Sequence, residues 1–273
     1  MRREALSDVA NDRNPYLACK QPLARYRLPV LNFKLFNIPV RIQPLFWLGA
    51  FVIGGGLSIE ISSQGRDGLI ATIFSMIAIL ISILVHELGH ALTSRKLTQV
   101  NPAIELVAFG GFASPNTHLS RRETFLVTWA GPLAGFALFF AVVLLFIGLY
   151  GPSDGFHFAS LVTFPWTTPR ASDLEVLTTL NPFALSFLMT MLWANFWWNA
   201  INLLPVFPLD GGRIYASIED SALKIHRVGM VTAGLAVCGA LYFRFLIGAI
   251  LFGFLAYQNF QQIQAINGRQ DFR

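Results

Sequence analysis

The strongest constraint on this chain is the run L-V-H-E-L-G-H-A at residues 84–91, which closes a stretch where residues 68–85 carry no charge at all. A carboxylate and two imidazoles inside hydrocarbon are costly, so such a cluster in a membrane helix marks a functional site by default. On a helix, His86 and His90 stand at i and i+4 and project from one face. Two imidazoles at that spacing can grip one metal ion, with the intervening Glu87 placed to handle a metal-bound water. The stretch alone predicts a zinc hydrolase buried in a membrane.

Composition supports the membrane. The chain is 54% hydrophobic and 13% charged, against about 25% charged residues in ordinary soluble domains. A spanning helix needs about 20 mostly apolar residues, and apolar runs occur at 42–59, 68–94, 124–150, 183–204, 228–243 and 245–257. The two cysteines, Cys19 and Cys238, lie far apart with no C-x-x-C pair. That excludes a disulfide framework or a cysteine metal site. The net charge of +5 raises the question of nucleic acid. With the N-terminus in the cytosol, 17 of the 20 basic residues fall on the inner side, leaving only Arg66, Arg170 and Arg244 outside. The positive-inside rule thus accounts for the charge, and no nucleic-acid partner is expected.

The predicted fold class is an all-α polytopic membrane protein with about six transmembrane helices and a small membrane-associated β-hairpin. The expected organisation is a basic cytosolic segment (1–43), one membrane domain (44–258) and a short cytosolic tail (259–273). The hairpin is read from Gly110-Gly111 between two short apolar runs. Residues 28–40 alternate weakly, as a short strand or an interfacial segment, and their prolines count against a regular element. Residues 151–182, with four prolines, read as a loop. Arg244 is placed at a turn between two helices, since a lone Arg at mid-bilayer costs about 3 kcal/mol or more. His118, His157 and His226 read as solvated loop residues. Ala130, Gly131, Ala134, Gly135 and Ala137 offer a close-packing face on the third span.

Catalytic zinc typically takes three protein ligands and leaves a fourth position for water. Asp210 is the best third candidate. It follows the fourth apolar run, Pro205 and Pro208 break the helix before it, and Gly211 and Gly212 permit unusual dihedrals just after it. Glu105 and Glu219 are the alternatives. Asn195, Asn199 and Asn202 form a polar stripe at i, i+4 and i+7 that must face the bundle interior. Their amides either bond between helices or hold a substrate backbone and a developing oxyanion. A metal transporter would spread its ligands along a route through several helices. An inactive binding protein would lack a ligand or the base. Neither pattern is present here.

His86-Glu87-x-x-His90, followed about 120 residues later by Asn202-x-x-Pro205-x-x-Pro208-Leu209-Asp210-Gly211, resembles the site-2 protease family of intramembrane zinc metalloproteases. Phe109-Gly110-Gly111-Phe112-Ala113 and Gly131-Pro132 are similar to that family's hairpin and third core helix, although Gly135 stands where many relatives carry Asn. The resemblance implies that His86, His90 and Asp210 hold one Zn2+ and that Glu87 is the general base and acid. It makes Asn202 a substrate contact, and the polar stripe and the Gly-Gly hairpin add Asn199, Asn195, Gly110 and Gly111 as further substrate-binding candidates. It implies regulated intramembrane proteolysis of membrane proteins with a transmembrane helix, a lipid bilayer around the enzyme and a regulatory membrane partner. The compact form, without PDZ-like or CBS domains, is the one expected. The expected location is the bacterial inner (cell) membrane, with the active site near the cytosolic side. Counted back from Arg95 at 1.5 Å per residue, the His pair lies roughly 7–14 Å below that surface.

Overall fold

The computed structural model describes residues 30–55, 60–108, 110–114, 118–164 and 166–270. Most of the basic N-terminal segment, Phe109 and the last three residues of the expected tail lie outside them. The chain runs through β1 (Leu31–Leu35), β2 (Ile38–Ile42), α1 (Pro44–Ile53), α2 (Glu60–Thr98), β3 (Ala103–Val107) and β4 (Gly110–Ser114). It continues through α3 (Arg121–Thr163), α4 (Asp173–Thr179), α5 (Pro182–Asn202), α6 (Asp210–Ile218), α7 (Ala222–Tyr242) and α8 (Leu246–Gln270). Local chemistry sets several of the helix starts. Ser120 and Glu123 form a reciprocal capping box at α3, Asn181 caps α5 ahead of a Pro at the first helical position, and Ser221 caps α7.

Among the described residues, three of the six expected spans are single helices long and apolar enough to cross a membrane: α2 over Gly65–Thr98, α3 and α7. The other runs differ for identifiable reasons. α5 carries the three Asn residues, which lower its hydropathy while it packs between α2 and α3. α8 is apolar only in its first half. α1 has ten residues, about 15 Å of helix, or half a bilayer. Arg95 Nη1 donates to the Phe36 carbonyl at 2.6 Å just before β2. At the far end of α1, Gly54 packs on Ser75 and Met76 of α2. Those two levels are about 20 residues, or ~30 Å, apart along α2. Strand β2 and helix α1 together cover that distance.

The expected hairpin is present as β3–β4, with Val107 paired to Gly110. It belongs to a larger sheet of order β1-β2-β3-β4, in which β2 and β3 are parallel. Of the two readings for residues 28–40, the strand holds from Leu31 onward, as a hairpin of two strands ending at Ile42, while residues 28 and 29 lie outside the described residues. Pro39 is accommodated opposite Lys34 near the turn. A parallel pair needs a long crossover, and here the crossover is α1 and α2. The sheet alternates as one buried face requires: Val40, Ile42, Ile104 and Leu106 pack into the core that includes Ile79, Ile83, Leu88 and Ala91 of α2. Asn32, Lys34, Arg41 and Glu105 line an open cleft on the other side.

The expected loop at 151–182 is largely helical. Gly151 (φ 84°) breaks α3, and residues 152–163 fold back along it. Gly155 permits this, since a Cβ there would stand 2.3 Å from the Phe146 carbonyl oxygen. Trp197 Nε1 then holds the end of the segment through the Thr163 carbonyl at 2.8 Å. His157 is accordingly buried, facing Asp173 at 3.4 Å, and His226 is buried within α7; only His118 has the exposure read for all three. Arg244 sits at the α7–α8 turn with φ 57°, as its charge requires.

Candidate metal centre

A ladder of polar rungs fixes α5 beside α2. Ser75 meets Ser186 and Thr190, Asn195 donates to Ser82 Oγ at 2.8 Å, and His86 Nδ1 meets Asn199 Oδ1 at 2.7 Å. Ser82 and His86 are one turn apart on α2, as Asn195 and Asn199 are on α5. The two helices therefore run parallel here in fixed register. α3 crosses the same site with its small-residue face. A Cβ on Gly131 would stand 2.2 Å from His90 Nε2, and one on Gly135 would stand 2.1 Å from Asn199 Nδ2. The face read from sequence as close packing leaves room for the imidazole and the amide.

The hydrogen bonds behind the imidazoles decide their tautomers. His90 Nδ1 lies 2.8 Å from the Val127 carbonyl, which only accepts. Asn199 Nδ2 donates to the Asn195 carbonyl, so its Oδ1 accepts from His86. Both histidines then carry hydrogen on Nδ1 and present a bare Nε2 lone pair forward. Those two Nε2 atoms are 3.1 Å apart, and Asp210 Oδ2 lies 3.1 Å from one and 3.2 Å from the other. All three residues are buried. Asp210 Oδ2 has no hydrogen-bond donor among the described residues, and its two His contacts become ion pairs only if the rings are protonated. Three lone-pair donors converging in a buried site fit one cation. Tetrahedral zinc with bonds of about 2.0–2.1 Å sets its donors about 3.3 Å apart.

Asp210 opens α6, and its position there follows from Gly211 and Gly212 packing on the backbone of residues 203–207. A carboxylate in the first turn also suits the helix dipole. Glu87 is 3% exposed, and its Oε2 has no hydrogen-bond partner among the described residues. Gly111 of β4 presses on it, since a Cβ there would stand 2.7 Å from Glu87 Cγ. The backbone N–H of Ala113, two residues on and on the same face of β4, is directed at the Glu87 carboxylate. Gly110, at the turn, packs near the Trp198 ring with φ 152°. Asn202 is half-buried and donates to the Trp198 carbonyl at 2.9 Å. Glu105 accepts from Gln43 on the sheet, and Glu219 accepts from the Ser221 N–H beyond α6. Neither stands among the three donors.

Two partners carry no sequence signal of their own: the Val127 carbonyl and the Ala113 N–H are backbone groups. Their nearest markers are the small residues Gly131 and Gly111. Replacing Asn199 with Leu removes the acceptor behind His86, and outer partners of this kind are worth about 10–100-fold in metal affinity. Titration of the Asn199→Leu chain against a competing chelator is expected to show a loss in that range.

A helix bearing His-Glu-x-x-His, closed by an Asp from a second helix within an apolar helical bundle, defines a membrane metal centre. The chain belongs to peptidase family M50, whose model matches residues 74–243, and it is an integral membrane protein. It is 31% identical over 225 residues to a chloroplastic protein of Arabidopsis thaliana bearing the zinc-metalloprotease name EGY2, covering 76% of this chain and 38% of that one. It is 26% identical over 186 residues to zinc metalloprotease MJ0392 of Methanocaldococcus jannaschii, covering 68% and 44%. Stage IV sporulation protein FB of Bacillus subtilis is 29% identical over 164 residues, covering 58% and 46%. The chain thus spans less than half the length of these relatives. Among solved structures, a site-2 protease from Methanocaldococcus jannaschii aligns with a TM-score of 0.48 and 22% identity, over 86% of this chain and 95% of that one.

Proposed function

We propose that the chain is an intramembrane zinc metalloendopeptidase that cuts transmembrane segments of membrane protein substrates. One observation carries this reading: two imidazole nitrogens, both stripped of hydrogen by their outer partners, meet a carboxylate oxygen at 3.1–3.2 Å in a buried site. His86, His90 and Asp210 would hold the metal. Zinc there supplies a polarised scissile carbonyl and a water acidic enough to attack near neutral pH. Glu87, one residue from His86 and not among the three donors, takes the proton from the attacking water at its carboxylate. It returns that proton to the leaving amine as the peptide C–N bond breaks and the new C–O bond remains. Asn199 and Asn195 act as positioning residues, since the Asn199 amide is committed to His86 and the Asn195 carbonyl, and the Asn195 Nδ2 to Ser82 and the Met191 carbonyl. Asn202, nearer the end of α5, is the substrate-contact candidate.

A peptide bond inside a helix is shielded, so a substrate must present an extended segment. β4 is an edge strand of the sheet, and its Gly111–Ala113 face lies against Glu87. An extended substrate added to that edge by strand pairing would lie beside the base. Successive strand residues direct their N–H groups to opposite edges. Replacing Gly110 and Gly111 with Pro therefore removes one donor from the free edge and one from the β3 side, and cleavage is expected to fall about tenfold or more. Unaltered cleavage would remove strand addition from the mechanism.

The site lies toward the end of α2 that bears Arg95 and Lys96, which the distribution of basic residues assigns to the cytosol. The function test uses purified protein in liposomes with a library of tagged single-pass segments. Cleavage is expected to vanish on metal removal and to return with zinc. Products that persist after the metal is stripped would overturn the reading.

A further inference from the structure

The loop that carries Asp210 is held from behind. A Cβ on Gly211 would stand 2.1 Å from the Leu203 carbonyl oxygen, and one on Gly212 would stand 2.5 Å from the Phe207 nitrogen. The placing of the backbone from Leu203 to Phe207 therefore bears on where the first turn of α6 stands, and Phe207 is its last point before Asp210. On its other side Phe207 meets the α7–α8 hairpin. Asn259 of α8 donates from Nδ2 to the Phe207 carbonyl at 2.8 Å and to the Leu255 carbonyl at 2.9 Å. With both amide hydrogens given to carbonyls, Asn259 Oδ1 can only accept. The 2.9 Å contact from His226 Nδ1 of α7 is then an N–H donation.

Both side chains are 1% exposed. Gly229, one turn beyond His226, keeps the space open, since a Cβ there would stand 2.7 Å from Asn259 Oδ1. The His226 ring also meets the Phe207 ring edge-on, with centroids 5.8 Å apart. A buried imidazole and a buried amide are costly unless they serve a partner. Here both converge on Phe207, three residues before Asp210.

We propose that His226 and Asn259 are positioning residues of the metal centre, a relay that runs from α7 through α8 to the Phe207 carbonyl and sets the aim of Asp210. The proposal rests on Asp210 being the third ligand. The loop is also packed apolarly, with Val206 against Ala233, Phe252 and Leu255. Such contacts are non-directional, whereas hydrogen bonds to one carbonyl fix an angle as well as a distance. Neither residue touches the donors, so their effect passes through four residues of backbone, 207–210.

The test uses the full chain in detergent, with zinc affinity measured against a competing chelator and the visible spectrum recorded after cobalt substitution. Asn259→Leu keeps the volume and deletes the amide. His226→Phe keeps a ring on Phe207 and deletes the Nδ1–H. His226→Asn returns a donor near that position. Asn259→Leu and His226→Phe are expected to weaken zinc binding about tenfold, change the cobalt spectrum and lower kcat with KM unchanged. His226→Asn is expected to restore most of the affinity. Wild-type affinity and spectrum in both deleting variants would overturn the proposal, as would His226→Asn binding no better than His226→Phe. Should Asn259→Leu fail to fold, the His226 pair still decides the question. A wild-type chain that binds no metal overturns the reading of Asp210 itself. Loss of the relay alone leaves that reading standing.

Discussion

Changing Glu87 to Gln is expected to cut proteolysis by about 10³-fold, the mid-range for losing a general acid–base, while the metal content stays as in the unchanged protein. Gln matches Glu in size, so the contact with Gly111 and the approach of the Ala113 N–H are kept. What disappears is the ability to accept a proton. Glu87 lies outside the triangle formed by His86, His90 and Asp210, so metal binding does not depend on it. Asp210→Ala is the contrasting variant, in which metal and activity fall together. Measuring zinc by elemental analysis beside cleavage of a tagged segment separates the two. If Glu87→Gln lost its zinc, or kept full activity, the assignment of base and ligands would be wrong.

The second large effect is expected from the smallest change. Gly131→Ala adds one methyl group, and its carbon would stand 2.2 Å from His90 Nε2. No rotamer relieves such a contact, because a Cβ has none; either α3 withdraws or the imidazole turns. His90 is tied to α3 by the Val127 carbonyl, four residues earlier, so withdrawal breaks that bond as well. Zinc affinity is expected to fall by more than 100-fold, beyond the range for outer partners alone, while helical content stays near that of the parent. Gly135→Ala crowds Asn199 instead of a ligand, and a smaller loss of about 10–100-fold is expected. Equal zinc affinity in the Gly131→Ala chain would show that α3 is not closed on the site as described.

Much of the site is legible in the chain because it is made of local patterns. His86 and His90 share a face by helical period alone. Pro205, Pro208 and the two glycines mark an interrupted backbone around Asp210, and Arg244 marks a turn because a charge cannot rest at mid-bilayer. Other features depend on pairings between distant residues. Nothing near residues 31–42 foretells that β2 will lie parallel to a strand some 60 residues later, and Pro39 counts against a regular element where a short strand is one of the two readings. The fold-back at 152–163 is short and hidden among prolines, and its closeness to α3 depends on Gly155 meeting a backbone carbonyl. The Asn stripe was visible, but its targets were not: His86 lies 113 positions from Asn199. His226 reads as a solvated loop residue and position 259 as the start of a tail, and their contact emerges only when α7 and α8 are folded against each other.

The parallel pairing of β2 with β3 also has a bearing on sidedness. Both strands start from the level of Arg95, so the chain between them must traverse the bilayer an even number of times, whatever the shape of the intervening segments. Parity then ties the turn at residues 36 and 37, the basic pair Arg95 and Lys96 and the start of α3 at Ser120 to a single compartment. One water-accessible reporter at any of these points fixes the compartment of the other two. The sheet gives this chain an orientation that can be established by a single labelling experiment.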